Sequence, residues 1–326
     1  MRRSQALPAD PAIVVVGGGT GLATLISGLK HHTPRLTAVV TVADDGGSSG
    51  RLRREIGIVP PGDIRNCLVA LAEDESLMGR LFQYRFEEGQ LAGHSFGNLF
   101  LAALAKVTDD FEEAVRLSSK ILAIRGAVLP ASLDMVSLKA ELADGSLVSG
   151  QSLISASSQS CRRVWLEPET ARPTAAVLEA ISSADLLVVG PGSLFTSIIP
   201  NFLITAIAGA VNAADCPKLF VCNVMTQPGE TLGFTAADHM AAVTQHAGMV
   251  VTDTVLVNSS KPPRAIDEAY REEGAQPVAV DAQRLSDMGV RVLQADMGFA
   301  SGDYFRHDST RLAVAVMSLL GVHQTR

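Results

Sequence analysis

The spacing of apolar residues changes twice within the first 42 residues. Ile13–Val16 is a continuous β-branched run and Leu36–Val42 is apolar almost throughout, which is typical of parallel strands buried on both faces. Between them, apolar residues recur at helical spacing at Leu22, Leu25, Ile26 and Leu29. The pattern therefore predicts a strand, a helix and a strand, joined as a right-handed βαβ unit.

The same alternation continues along most of the chain. Further strands are predicted at Leu186–Val189, Leu219–Cys222 and Val255–Val257, and further helices at 98–106, 111–122, 174–184, 200–213, 235–246 and 309–320. Between about 126 and 166 apolar and polar residues alternate singly around an Asp144-Gly145 turn, which favours a small β-rich insertion with antiparallel strands. We therefore expect an α/β fold with a Rossmann-like, doubly wound, mostly parallel sheet.

Domain organisation, net charge, the length of apolar runs and the cysteines narrow the class of protein further. After residues 1–11, expected to be a disordered tail, residues 12–326 are predicted to form a single nucleotide-binding α/β domain, because no linker-like segment interrupts them. The formal net charge of −7 argues against a protein that binds nucleic acid through a basic surface. Apolar runs too short to cross a bilayer argue against membrane insertion. Four cysteines without metal-ligand spacing indicate free thiols and a cytoplasmic location.

The first strand ends in a glycine-rich turn, the first glycine turn, at Gly17, Gly18, Gly19, Thr20 and Gly21. Glycines allow a phosphate to approach the backbone amides of the turn and of the following helix. The spacing fits neither a dinucleotide fingerprint nor a P-loop. A phosphate or diphosphate site and a tight turn without a ligand both remain open at this point.

The second strand is followed by Asp44, Asp45, Gly46, Gly47 and Ser48. One carboxylate at such a strand end commonly binds a ribose hydroxyl, whereas two could hold Mg²⁺ against phosphate oxygens. The alternative is a turn in which the aspartates accept hydrogen bonds from local amides. Asp44 and Asp45 are therefore candidate metal ligands.

Other polar residues lie at predicted helix starts or after predicted strands, where an open parallel sheet binds its ligands. Asp63 is predicted to cap a helix that buries Ile64, Leu68 and Leu71. A second glycine turn, Gly190–Ser193, follows the strand at 186–189. The additional candidate binding residues are Asp63, Asn66, His94, Asn98, Gly190, Gly192, Ser193, Asn223 and Thr226.

Taken together, these segments resemble the gluconeogenesis-factor family, within the superfamily of the 2-phospho-L-lactate transferases. The resemblance covers residues 12–322. It rests on Gly17-Gly-Gly-Thr-Gly-Leu22, the segments 41–52 and 60–68, His94-Ser-Phe-Gly-Asn98, Gly190-Pro-Gly-Ser193, the segment 222–230 and Arg306-His-Asp308. It implies a Rossmann-like fold and, in the transferase relatives, Mg²⁺-assisted transfer of a phospholactyl group. The form of residues 94–98 favours the branch that is not known as a transferase.

That branch implies a cytoplasmic regulatory protein that binds a UDP-sugar such as UDP-N-acetylglucosamine and supports cell shape and growth on gluconeogenic carbon. By resemblance, Tyr270 and Arg306 are binding residues; the tyrosine could stack on the uracil ring and the arginine pair with the diphosphate. The alternative is a Mg²⁺-dependent phospholactyl-type transferase acting on a nucleotide diphosphate-linked substrate. Expected partners are the nucleotide sugar, proteins of cell-envelope synthesis and a second copy of the chain in a homodimer.

Overall fold

The structure, a computed structural model, describes residues 10–73 and 77–320; most of the predicted tail lies outside these ranges. The strands are β1 (Ile13–Gly17), β2 (Leu36–Val40), β3 (Ala127–Pro130), β4 (Ser137–Leu142), β5 (Leu147–Ser149), β6 (Cys161–Glu167), β7 (Leu186–Val189), β8 (Lys218–Val221), β9 (Thr254–Asn258), β10 (Arg291–Ala295), β11 (Gly298–Ser301) and β12 (Tyr304–His307).

The helices flank a central sheet. They are α1 (Gly19–Leu29), α2 (Gly47–Ile56), α3 (Gly62–Leu71), α4 (Leu77–Gln83), α5 (Phe96–Thr108), α6 (Phe111–Ile121), α7 (Gln151–Ser155), α8 (Ala175–Ser182), a π-helix (Leu194–Ile198), α9 (Ile199–Phe202), α10 (Thr205–Ala213), α11 (Ala236–Ala247), α12 (Arg264–Glu272), α13 (Ala282–Asp287) and α14 (Ser309–Ser318).

The central sheet is parallel, with the strand order β10-β9-β8-β7-β1-β2-β3. Every residue of the apolar strands β1 and β7 is buried, as the apolar runs predict. The chain leaves β1 first toward β2 and later returns to β7 on the other side. The order of the strands therefore reverses between β1 and β7, and the predicted Rossmann-like α/β fold is confirmed.

Helix α1 packs through the face that its spacing predicts. Leu22, Leu25, Ile26 and Leu29 are fully buried. Gly28 meets the start of α14, where a Cβ atom added at Gly28 would lie 2.2 Å from the Ser309 carbonyl oxygen. The two helices approach each other closely because this position lacks a side chain, and α1 is thereby fixed with its N-terminus at the carboxyl end of β1.

The antiparallel segment starts later than its predicted boundary at 126. Residues 127–130 form β3, which pairs with β2 in the parallel sheet. The small sheet has the order β5-β4-β6 and begins at Ser137. The boundary was wrong because β3 pairs with the distant strand β2, a contact that the local alternation does not show. The predicted turn is present, since the Asp144 carboxylate accepts the Ser146 amide.

The predicted helix over 200–213 is broken in the structure. The π-helix and α9 together form one arm, and α10 forms a second arm bent by 77° from it. Pro200 lies in the first turn of α9, where its fixed φ and missing N–H favour a helix start over a helix interior. Within the described ranges, none of the individual helices has the length and apolar character to cross a membrane, although this bent pair meets both criteria when its two arms are counted together.

His246 joins the small sheet to helix α11. Its Nδ1 lies 2.7 Å from the Ala242 carbonyl oxygen, and its Nε2 lies 3.2 Å from the Val164 amide of β6. Because Nδ1 donates to the carbonyl, Nε2 must be unprotonated to accept the amide, so the folded protein holds a neutral imidazole. Burial, with a smaller effect of the Arg163 charge, lowers the pKa of His246.

We expect the stability difference between wild type and His246→Gln to depend on pH. Below about 6.5, the ordinary histidine pKa, the unfolded chain binds a proton that the folded chain excludes. Stability from this residue is thus complete above pH 6.5 and decreases below it, by at most about 1.4 kcal/mol per pH unit. Urea unfolding from pH 8 to 5 measures it. An unchanged slope in His246→Gln would contradict the assignment.

Candidate functional site

An open crevice of about 470 Å³ lies at the carboxyl ends of β1, β7 and β8. This is where the strand order reverses, the usual ligand position in an open α/β sheet, and the volume is that of a small-molecule site. Its lining includes Gly18, Gly19, Thr20, Gly21, Gly192, Ser193, Asn223, Thr226, Gln227, Glu230, Tyr270, Tyr304, Phe305, Arg306 and His307. The structure thus brings together both glycine turns, the segment after β8 and the two residues implied by resemblance.

The first glycine turn presents the N-terminus of α1 to this crevice. Gly17 ends β1, and Gly18 is the N-cap residue without any side chain to accept the helix amides. The amides of Thr20 and Gly21 lie in the first turn, where a helix offers no internal acceptor. Gly21 packs directly on the second glycine turn, since a Cβ atom there would lie 2.6 Å from the Pro191 carbonyl oxygen. These amides and the helix dipole favour an anion.

Asp63 contacts the first glycine turn and does not cap its own helix. The N-cap of α3 is Pro61, which corrects the predicted cap. The Asp63 carboxylate instead accepts the Gly19 amide at 2.9 Å. Burial and the nearby charge of Asp44 raise the pKa of Asp63 to about 6, and the hydrogen bond from the Gly19 amide and the charge of Arg65 oppose that rise. The cap was wrong because Pro61 lets the helix begin at Gly62, and the carboxylate then points across to α1.

Asp44 and Asp45 have different partners. Asp44 accepts the Gly46 amide at 2.9 Å, and burial raises the pKa of its carboxyl group. Asp45 accepts both the amide and the hydroxyl of Ser152, each at 2.9 Å, at the start of α7 in the insertion. Asp45 therefore caps a helix of the small sheet. The Asp45 carboxylate can lie this close to the start of α7 because residue 150 is a glycine. A Cβ atom at Gly150 would lie 1.9 Å from the carboxylate.

The predicted Mg²⁺ site has oxygen ligands of a suitable kind. The charge of Asp44 raises the pKa of Asp63, and a cation would relieve that repulsion. Within the described part of the chain, His, Cys, Asp and Glu side chains form no cluster of three or more that could hold a metal ion. Mg²⁺ at Asp44 and Asp45 stays a prediction.

The remaining residues after β2 pack against α5 and lie outside the crevice lining. Gly46 and Gly47 begin α2, and the buried Ser48 hydroxyl lies 2.9 Å from Nδ1 of His94. Asn98 is buried in the first turn of α5, and its amide donates to Ser95. Burial lowers the pKa of His94. These contacts fix α2 and α5 relative to each other.

The second glycine turn has its donors occupied by the protein. The Asn223 side chain donates to the Gly192 carbonyl oxygen at 2.9 Å and accepts the Gly192 amide at 3.3 Å. Gln227 donates to the Ser193 hydroxyl at 3.2 Å. Thr226, fully buried, exchanges backbone and side-chain hydrogen bonds with Gln276. The Gly190 and Gly192 amides of this turn therefore donate within the protein, and the turn packs against Gly21 of α1.

Glu230 lines the crevice and hydrogen-bonds to neighbouring segments. Its carboxylate accepts the Phe195 amide at 2.9 Å, the Thr196 hydroxyl at 2.7 Å and the Ser155 hydroxyl at 3.3 Å. It thereby caps the π-helix and joins it to α7. Burial raises the pKa of Glu230, and these hydrogen bonds partly offset the effect. Glu230 was missed as a site residue, although it ends the polar segment after β8 that the sequence does show.

Tyr270 and Arg306 lie on elements that form one wall of the crevice. The Tyr270 hydroxyl accepts the Phe305 amide at 3.4 Å, which joins α12 to the hairpin of β11 and β12. The guanidinium carbon of Arg306 lies 4.3 Å from the centre of the Tyr304 ring. Tyr304, Phe305 and His307 were missed, because a short hairpin near the end of the chain carries little periodicity.

The sequence profile of the family described as 2-phospho-L-lactate transferase CofD matches residues 13–298, most of the chain. The chain belongs to the CofD family. The predicted superfamily is confirmed, and the matched segment includes both glycine turns, Asp44, Asp63 and Glu230. Arg306 and the second strand of the hairpin lie beyond the matched residues.

Several proteins that are similar to this CofD-family chain are named gluconeogenesis factor. It is 50% identical over 311 residues to the gluconeogenesis factor of Bacillus subtilis, with 95% of this chain and 98% of that one covered. It is 45% identical over 306 residues to the gluconeogenesis factor of Halalkalibacterium halodurans, with 94% and 95% covered. A crystal structure of a protein from Bacillus halodurans is similar with a TM-score of 0.91 at 45% identity, covering 94% and 99%.

Proposed function

We propose that this protein is a regulatory UDP-sugar-binding protein, a gluconeogenesis factor that acts in cell shape and growth. The observation that carries the proposal is the crevice itself. It combines amides at the N-terminus of α1 with an arginine and a tyrosine in one lining. A nucleoside diphosphate has matching parts, since its phosphates suit the amides and the guanidinium, and its base suits an aromatic ring.

Several polar residues of the crevice are hydrogen-bonded to other parts of the protein, which favours ligand binding over catalysis. The hydrogen bonds of Asn223, Gln227 and Glu230 join the segments that form the crevice. Such groups shape a preformed site. Relatives of high identity named gluconeogenesis factor support the same reading. Proteins of cell-envelope synthesis and a second copy of the chain remain proposed partners, and the cytoplasm remains the proposed location.

A second candidate is a Mg²⁺-dependent transferase acting on a nucleotide diphosphate-linked substrate. The match to a family described as 2-phospho-L-lactate transferase favours it, as do the Asp63 carboxylate at the first glycine turn and the charge of Asp44 near it. Asp44 and Asp45, the predicted ligands, would hold the ion, which would supply neutralisation of phosphate charge. Asp63 would at the same time keep the turn in place through the Gly19 amide.

Calorimetric titration with UDP-N-acetylglucosamine, UDP, GDP and NAD separates the two candidates. We expect micromolar dissociation constants for the uridine compounds, about −8 kcal/mol, and weaker binding of GDP and NAD. Preference for GDP together with turnover of a lactyl-diphosphoguanosine donor would favour the transferase. Binding of none of the four would contradict both candidates.

A further inference from the structure

Tyr304 and Arg306 lie side by side at the rim of the crevice. They are alternate residues of β12 and therefore project to the same side of the strand. The Arg306 guanidinium carbon lies 4.3 Å from the ring centre of Tyr304, within the range of a cation–π contact. The Tyr304 side chain is 53% exposed, so one part of the ring meets the guanidinium and another remains open to solvent.

The opposite face of β12 anchors the hairpin. Phe305 is buried and packs with Val224 and Met225 of the segment after β8. It also lies against Gly298 of β11, where an added Cβ atom would be 2.1 Å from the Phe305 ring. Because the strand is held from this side, the neighbouring Tyr304 ring occupies a defined place relative to the crevice.

The charge of Arg306 has no other strong partner in the described ranges. Among those residues the ion pairs do not include Arg306, and its side chain is exposed. A long, exposed arginine loses rotamer freedom when it pairs with an anion. A guanidinium already stacked on a ring loses less of it, so the ring improves anion binding without contacting the anion.

We propose that Tyr304 is a positioning residue that holds the Arg306 guanidinium toward the phosphates of a nucleoside diphosphate. The inference rests on the proposed function, since it assumes that Arg306 pairs with the ligand. It assigns to Tyr304 a role that acts through Arg306, distinct from direct stacking on the base.

Titration with UDP tests the role in the full-length protein. We expect Tyr304→Leu to weaken UDP binding about two- to fivefold, the range of an exposed cation–π contact. Tyr304→Phe keeps the ring and should bind as wild type does. Tyr84→Leu is the matched control, because Tyr84 is 52% exposed, follows α4 and does not line the crevice; it should leave binding unchanged. Equal binding by Tyr304→Leu and wild type would overturn the proposal.

A double-mutant cycle separates positioning from direct contact. In an Arg306→Ala background, Tyr304→Leu should cause no further loss of UDP binding, because the ring then has no guanidinium to hold. Additive losses would overturn the proposal and assign Tyr304 to the ligand itself. If the wild type binds no UDP, the proposed function fails together with this inference, whereas a failure of Tyr304 alone leaves wild-type binding intact.

A measurement without ligand tests the stacking separately. The Arg306 Hε resonance should be shifted upfield by the ring current in wild type and in Tyr304→Phe, and should move to an ordinary position in Tyr304→Leu. The same resonance in all three proteins would overturn the proposal whatever the result of the titrations.

Discussion

Replacing Gly21 by alanine is expected to lower nucleotide affinity by about tenfold or more. The new methyl group would lie 2.6 Å from the Pro191 carbonyl oxygen and 3.1 Å from Cα of Gly192, so α1 and the second glycine turn must move apart. Overpacking of this kind costs about 1–3 kcal/mol, and about 1.4 kcal/mol changes affinity tenfold. Calorimetric titration with UDP measures the loss.

Gly209→Ala is the matched control for this substitution. Gly209 lies within α10, and an added Cβ atom there would have no neighbour within 4 Å. We expect unchanged UDP binding and a gain in stability of about 0.5–1 kcal/mol, because alanine suits a helix interior better than glycine does. Wild-type UDP binding by Gly21→Ala would contradict the assignment of the first glycine turn to the phosphates.

Replacing Glu230 by alanine is expected to lower the free energy of unfolding by about 3 kcal/mol. The Phe195 amide and the hydroxyl of Thr196 would lose a buried acceptor, and each buried donor left unsatisfied costs about 1–3 kcal/mol. Release of the π-helix should also loosen the second glycine turn and weaken UDP binding. Urea unfolding followed by circular dichroism measures the change in stability.

The exposed Glu179 on α8 provides the control for Glu230. Glu179→Ala should change stability by no more than about 0.5 kcal/mol, as for most surface substitutions. The loss of stability in Glu230→Gln should lie between those of the two alanine variants, because the amide keeps one oxygen acceptor but turns an N–H group toward a donor. Equal stability of Glu230→Ala and Glu179→Ala would mean that the carboxylate does not hold these segments together.

Local sequence pattern was sufficient for the parallel sheet. β1, β2, β7, β8 and β9 are runs of β-branched and apolar residues followed by polar turns, and each lies close to its predicted position. Because ligands bind beyond the carboxyl ends of such strands, the same pattern indicated the two glycine turns and the segment after β8. α2 was missed, because it begins with glycine and serine, which are weak helix formers.

Contacts between distant segments could not be predicted from the pattern. Asp45 meets Ser152 across 107 positions of the chain, so its role as a cap for α7 depends on how the insertion folds back. Asn223 likewise occupies the Gly192 amide, which the sequence alone shows as a free donor. Glycine-rich turns therefore indicated where a ligand could bind, whereas tertiary contacts decided which of their amides are available.

Amide resonances of ¹⁵N-labelled protein during a UDP titration test the central claim most directly. UDP should shift the amides of Thr20 and Gly21, which the first turn of α1 presents to the crevice. The amide of Phe195 should shift less, because Glu230 already accepts it. Saturable shifts at the first glycine turn would support a nucleoside diphosphate site at the reversal of strand order. Unchanged Thr20 and Gly21 resonances at saturating UDP would contradict it.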